Sequence, residues 1–129
     1  MILVDTSVWV DLLRRGSKTT LPMDDLARFV TCGPIVQEVL QGLREGPLTP
    51  DFEEAFLALP CVGDPLPLHT FLAAAGIYRQ GRRRGFTIRS SVDCLIAALA
   101  IEHRLTVWHR DRDFTKISRY TTLEAVEAG

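Results

Sequence analysis

The sequence has no apolar run long enough to cross a bilayer: the longest, Cys94 to Ile101, falls well short of the ~20 residues a spanning helix needs. Nor does it open on a basic leader, because Met1-Ile2-Leu3-Val4 meets Asp5 before a signal-peptide apolar core can form. The expectation is a cytoplasmic protein with no membrane association. Cysteine is scarce, with Cys32, Cys61 and Cys94 odd in number and far apart, which excludes a disulfide framework and a zinc knuckle and points to buried, reduced thiols. There is no excess of either charge: the formal net charge is −1, so any affinity for nucleic acid has to come from how charge is distributed. Repeats and low-complexity tracts are absent too, which removes solenoids.

What is present suits a packed interior. Hydrophobic residues make up 47% of the chain, far from the composition of disorder, and 129 residues fit one domain covering 1–129. Ile2-Leu3-Val4 reads as a short strand, and helical spacing begins after Ser7 through Val8, Val10 or Leu12, and Leu13. Gly16 to Thr20 reads as a loop, Leu26, Phe29 and Val30 as a second helix running into a short strand at Phe29 to Cys32. Pro34 suits a helix's first turn, continued by Ile35, Val36, Val39, Leu40 and Leu43 and placing Glu38 near its N-terminal end. A helix from about Pro50 to Leu59 and a proline-rich connector to Pro67 follow. His69 to Arg84 carries Phe71, Leu72, Ala75 and Tyr78 at helical intervals. Ser90 to His103 is a strong helix with Val92, Leu95, Ile96, Leu99 and Ala100 inward, and Leu105 to Trp108 is an apolar strand. Strands alternating with helices imply parallel βαβ units with right-handed crossovers, hence an α/β fold: a three-layer α/β/α sandwich around a mainly parallel sheet.

In such sheets functional groups gather beyond the carboxyl ends of the strands. Asp5 follows the first strand, and Asp111 and Asp113 follow the strand ending at Trp108. Glu38 and Asp93 fall in the first turns of helices expected to open on the same edge. Carboxylates from four segments repel one another unless a divalent cation lies among them, and carboxylate oxygens suit magnesium or manganese, ions that also bind substrate phosphate. Each acid has a plainer role as well. Asp5, Thr6 and Ser7 can all start a helix, Ser90 to Asp93 resembles a capping box with Ser90 at the cap, Glu38 gains from the helix dipole, and Asp111 and Asp113 can be solvated turn residues. Their joint placement favours a metal site.

Arg79, Arg82, Arg83, Arg84 and Arg89 occur with no acid between them, directly before the helix that carries Asp93. Arginines beside an acidic metal site suit a phosphate backbone, although a cationic helix end also benefits its own dipole. Phe86 can stack on a base or anchor the core. His69 and His103 read as packed or surface residues, and His109 lies nearer the acids.

Taken together, Val4-Asp5-Thr6-Ser7-Val8-Trp9, the Glu38 helix, Asp93-Cys94-Leu95-Ile96-Ala97-Ala98 and His109-Arg110-Asp111-Arg112-Asp113-Phe114 resemble the PIN-domain ribonucleases, VapC toxins in particular, over nearly the whole chain. The resemblance implies a magnesium-dependent endoribonuclease, the toxin of a toxin–antitoxin system, with manganese a substitute ion. It implies a site of Asp5, Glu38, Asp93 and either Asp111 or Asp113, with Asp111 nearer the strand end and Asp5 and Asp93 the surest ligands. Ser7 and the arginines would contact RNA. A VapB-type antitoxin and a homodimer are the implied partners. Arg104 departs from the family, standing where glycine is common.

Two other readings compete. A phosphatase of the haloacid-dehalogenase type also places a nucleophilic aspartate after the first strand, but it repeats an aspartate two residues later, where this chain has Ser7. A catalytically inactive RNA- or protein-binding module of the same fold would use the arginines or a groove near Trp9, Leu12 and Leu13, and would not respond to magnesium.

Overall fold

The computed structural model describes residues 1–14 and 23–129, so the loop expected at Gly16 to Thr20 lies outside the described residues. Strand β1 (Ile2–Val4) carries Leu3 and Val4 with no exposed surface. A run apolar on both faces belongs inside a sheet covered on both sides, and β1 indeed lies between two neighbours. It pairs in parallel with β2 (Phe29–Val30) on one side and with β3 (Thr106–His109) on the other. The outer strand β4 (Glu124–Glu127) pairs in parallel with β3, giving the order β2-β1-β3-β4. β4 has no counterpart in the sequence reading. Its two glutamates and half-exposed Val126 mark an edge strand whose polar pattern carries little apolar signal.

Parallel neighbours need crossovers, and helices supply them. Helix α1 (Thr6–Leu13) and a 3-10 helix (Met23–Arg28) precede β2; α2 (Gly33–Gln41), α3 (Thr49–Leu57), α4 (Leu68–Arg83) and α5 (Ser91–Glu102) lead to β3; α6 (Arg112–Ser118) leads to β4. The 3-10 helix stands where an α-helix was expected. α1 packs on α2 and β3, while α4 packs on α5, α5 on α6 and β3, and α6 on β4. The sheet thus lies between two helical layers, the expected three-layer α/β/α arrangement.

α5 is the most enclosed helix. Cys94, Ile96, Ala97, Ala98, Leu99 and Ala100 are all buried, and the small side chains of Cys94 and the three alanines let both α4 and the sheet approach. Val92 and Leu95, expected inward, are only half-buried. On α4 the buried face is Thr70, Ala74, Ile77 and Gly81, whereas Phe71 and Leu72 are exposed. The hydroxyl of buried Thr70 donates to Glu102 Oε2 at 2.7 Å and ties this face of α4 to α5. At the other end Gly81 admits Tyr120, whose hydroxyl donates to the Ile77 carbonyl at 2.8 Å and whose oxygen lies 2.5 Å from where a Cβ on Gly81 would stand. Phe86 stacks on Tyr120 with ring centroids 5.6 Å apart, so it packs within the fold. Trp9 is buried edge-on among Phe29, Phe52 and Phe56 and forms no groove. Cys32 and Cys94 are buried free thiols as expected, but Cys61 is exposed.

α4 and α5 end in the same way with different residues. After α4, the Phe86 and Gly85 amides donate back to the Gly81 and Arg82 carbonyls, with Gly85 at φ +85°. After α5, the Leu105 and Arg104 amides donate to the Ala100 and Ile101 carbonyls, with Arg104 at φ +53°. Both are Schellman motifs, which require the left-handed conformation that glycine adopts without a Cβ penalty. Arg104→Gly should therefore stabilise the protein by about 0.5–1 kcal/mol, and Gly85→Ala should destabilise it, both read from urea denaturation midpoints.

Candidate active site

β1 sends the chain to β2 on one side, while β3, its other neighbour, is reached only after four further helices. The gap beyond the carboxyl ends of β1 and β3 is therefore the topological switch point of the sheet. Asp5 enters this gap as the ladder ends, its amide donating to the Trp108 carbonyl at 2.9 Å. It is the N-cap of α1: Oδ2 accepts the Ser7 amide at 3.1 Å and the Ser7 hydroxyl at 2.5 Å. The Ser7 oxygen in turn accepts the Arg110 amide at 2.9 Å, so one hydroxyl joins the loop after β3 to the acid after β1. Glu38 lies in the second turn of α2, not the first, where the Thr6 hydroxyl donates to Oε1 at 3.2 Å. A helix with Pro34 in its first turn carries Glu38 beyond that turn whichever of Gly33 or Pro34 begins it.

Asp93, in the first turn of α5, is buried, and its Oδ2 has no hydrogen-bond partner. The capping box read at Ser90 is not made: Ser90 is the N-cap but gives no side-chain bond. Asp113 takes over that work from a distance in sequence, its Oδ2 accepting the Arg89 and Ser90 amides at 3.0 and 3.3 Å. Asp113 is 1% exposed, and its Oδ1 is a second buried oxygen without a hydrogen-bond partner. Asp111, half-buried, caps α6 by accepting the Asp113 amide at 3.0 Å. Oxygens of Asp93, Asp111 and Asp113 all lie within 4.8 Å of one another. Asp5 and Glu38 are outside that tight triad, yet their charges reach it.

The electrostatics follow from this crowding. Burial first, then the Asp111 hydrogen bond and the charges of Asp111, Asp5 and Asp113, pushes Asp93 from 3.8 up to about 9. Asp5 is raised by burial and by Asp111, against the lowering effect of Ser7. Glu38 is raised by burial and by Asp5 and Asp111, against the Thr6 hydrogen bond. His109 is buried, accepts the Asp111 amide on Nδ1 at 3.2 Å and is lowered chiefly by burial, so it serves as a neutral support beneath the acids. Three acids raised together and two orphaned oxygens describe a cluster short of positive charge. Its all-carboxylate donors suit a hard divalent cation, and Asp93, Asp111 and Asp113 can hold one.

Of the five arginines singled out in the sequence, Arg89 stands at the acids, 3.8 Å from both Asp111 Oδ1 and Asp113 Oδ1. Arg79, Arg83 and Arg84 line a separate open cleft on α4, and Arg82 reaches the Tyr78 hydroxyl at 3.4 Å. The cleft beside the acids is lined instead by Ser7, Arg89, Arg110, Asp111, Arg112 and Lys116. Sequence reasoning passed over Arg110, Arg112 and Lys116 as candidates. Their signal was their interleaving with Asp111 and Asp113 and, for Lys116, a spacing of one helical turn from Asp113.

The PIN domain family model matches residues 2–120. Ribonuclease VapC11 of Mycobacterium tuberculosis is 44% identical over 133 residues, spanning 97% of each chain. Among solved structures, VapBC2 from Rickettsia felis, bound to a DNA fragment from its promoter, superposes with a TM-score of 0.70 at 16% identity, covering 98% of both chains. FitAcB from Neisseria gonorrhoeae superposes with a TM-score of 0.66 at 23% identity, covering 97% of this chain and 96% of that one. Among the described residues no helix is long and apolar enough to cross a membrane.

The raised acids make a pH prediction. The folded chain holds the Asp93 proton more tightly than the unfolded chain does. Its contribution to stability is therefore full below the unfolded value of 3.8 and is lost as pH rises toward about 9. In EDTA, urea denaturation should find the wild type less stable at pH 8.5 than at pH 5. Asp93→Asn should gain about 1–3 kcal/mol over wild type at pH 8.5 and much less at pH 5; a difference independent of pH would contradict the assignment.

Proposed function

The chain belongs to the PIN-domain family and, within it, to the VapC ribonucleases, and from that membership we propose that it is a magnesium-dependent endoribonuclease acting in the cytoplasm as the toxin of a toxin–antitoxin pair. The observation that carries this reading is the buried Oδ2 of Asp93, which has no hydrogen-bond partner and sits in a cluster with Asp111 and Asp113 whose oxygens could hold a metal ion. An inactive module has no use for Asp93 held in that state, since a buried oxygen without a hydrogen bond costs about 1–3 kcal/mol.

Asp5, Asp93 and Asp111 would hold magnesium, or manganese in its place, with Asp113 and Glu38 completing the negative field. A divalent ion held there would supply positive charge for the phosphate oxygens and make water a better nucleophile for phosphodiester hydrolysis. The chain's own part is positional. Ser7 fixes Asp5 Oδ2 with two hydrogen bonds. Asp113 holds the start of α5 through two amides, and with it the depth of Asp93. Glu38, oriented by Thr6 and raised by burial and then by Asp5 and Asp111, accepts the proton from the attacking water. Water attacks phosphorus, the bond to the departing ribose oxygen breaks, and that oxygen takes up a proton from solvent, to which Glu38 then releases the one it accepted. Arg89 stabilises charge on the phosphate oxygens as it builds.

The fourth acid is Asp111. It is the more exposed of the two candidates, whereas Asp113 already spends one oxygen on backbone amides. Ser7 stands where a haloacid-dehalogenase phosphatase repeats its aspartate, and its hydroxyl is committed to Asp5 and Arg110. A VapB-type antitoxin covering the site and a second copy of the chain belong to the same proposal.

Purified, antitoxin-free protein incubated with total RNA and a transfer RNA panel should give discrete fragments with magnesium and none in EDTA. Asp93→Asn, which keeps size and removes a charge, should lower the rate at least about a hundredfold. Cleavage by Asp93→Asn at the wild-type rate would refute the carboxylate site, and RNA binding without cleavage under every metal tested would favour the inactive module.

A further inference from the structure

The cleft next to the acids has a volume of about 410 Å³ and is lined by four cations, Arg89, Arg110, Arg112 and Lys116, against one acid, Asp111. Most of that positive charge is tied down. Arg110 Nε lies 3.2 Å from Asp11 Oδ2, and its Nη2 donates to the Gly129 carbonyl at 3.1 Å. Arg89 faces Asp111 and Asp113, and Lys116 Nζ donates to the Thr87 carbonyl at 3.4 Å and lies 3.9 Å from Asp113. Arg112 differs. It is exposed and, among the described residues, makes no hydrogen bond or ion pair.

Its position is also unfavourable for the fold. Arg112 is the first residue of α6, where the amides already present partial positive charge, and three other cations share its cleft. A cation there stabilises neither the helix nor its neighbours, which leaves it available to an anion arriving from outside. Ser7 and Asp111 belong both to this cleft and to the acid cluster, so a ligand filling the cleft meets the acids. A polymer with an anionic group at every step satisfies both halves, one phosphate at the metal-holding acids and a neighbouring one at the cations.

We propose that Arg112 seats a phosphate of the RNA strand adjacent to the one being cleaved. This rests on the nuclease reading above and adds to it a positioning residue that touches substrate away from the reacting atoms. Arginine suits the role through its bidentate geometry toward phosphate oxygens. The seat reads the backbone and not the base, so Arg112 contributes affinity and register without sequence preference.

The test uses the full chain and needs no catalysis in its first arm. In an Asp93→Asn background with EDTA, binding of a fluorescein-labelled, mixed-sequence single-stranded RNA is followed by anisotropy across a salt series. Losing one phosphate contact should flatten the slope of log K against log salt by about 0.7 in Arg112→Gln, with affinity at low salt about tenfold weaker. Arg112→Lys should restore the slope. In the second arm, on pooled transfer RNA with magnesium, Arg112→Gln in an otherwise wild-type chain should raise KM while kcat stays within about twofold. Thermal melting checks that the exposed substitution leaves the fold intact.

An unchanged salt slope together with an unchanged KM overturns the seat, as does a variant that alters only the affinity for an antitoxin. The nuclease reading fails separately: if wild type does not cut but the slope change and its rescue by lysine are seen, the seat stands as an RNA contact while the catalytic assignment falls.

Discussion

Mutual repulsion among the acids at the carboxyl end of the sheet is the constraint around which the rest is arranged. Asp93 is buried, short of a partner for Oδ2 and raised to about 9, and it can stay there only because neighbouring groups hold the cluster together from outside. Asp5 is fixed by Ser7, and Ser7 by the Arg110 amide. Arg110 is fixed by Asp11 of α1 and by the Gly129 carbonyl. Asp113 reaches from α6 to the first amides of α5. Most of these links run between elements far apart in sequence, and the chain of them ends on Asp5 and Asp113. The fold therefore withstands an unfavourable local field in order to present it, a trade that makes sense where the missing positive charge arrives with a cation.

Much of this was legible in the sequence, for identifiable reasons. β1 and β3 are short apolar runs that end in acids, and a parallel sheet places such ends together whatever the intervening helices do. α5 was clear because its apolar pattern is long. What escaped shares a physical cause: it depends on pairing across the chain. β4 is an edge strand with glutamates at both ends and little apolar pattern. Thr70 ties the buried face of α4 to Glu102 while Phe71 and Leu72 lie outside, which no periodicity can reveal because both faces of α4 carry apolar residues. Ser90 has the composition of a cap, yet the capping oxygen comes from Asp113, more than twenty residues on. Of the arginine run only Arg89 reaches the acids, since α4 ends well before them and a Schellman turn at Gly85 redirects the chain.

The division of labour between Asp111 and Asp113 has an evolutionary consequence. Asp111 caps a short helix with one oxygen, a task that asparagine or serine performs nearly as well. Asp113 is buried, satisfies two amides at the start of the most enclosed helix and sets the depth of Asp93. A lineage that abandons the reaction but keeps the domain as a scaffold is then free to drift at Asp111 while selection for folding alone still guards Asp113. In decayed relatives, an aspartate surviving at the second position and lost at the first would be the imprint of architecture outliving chemistry.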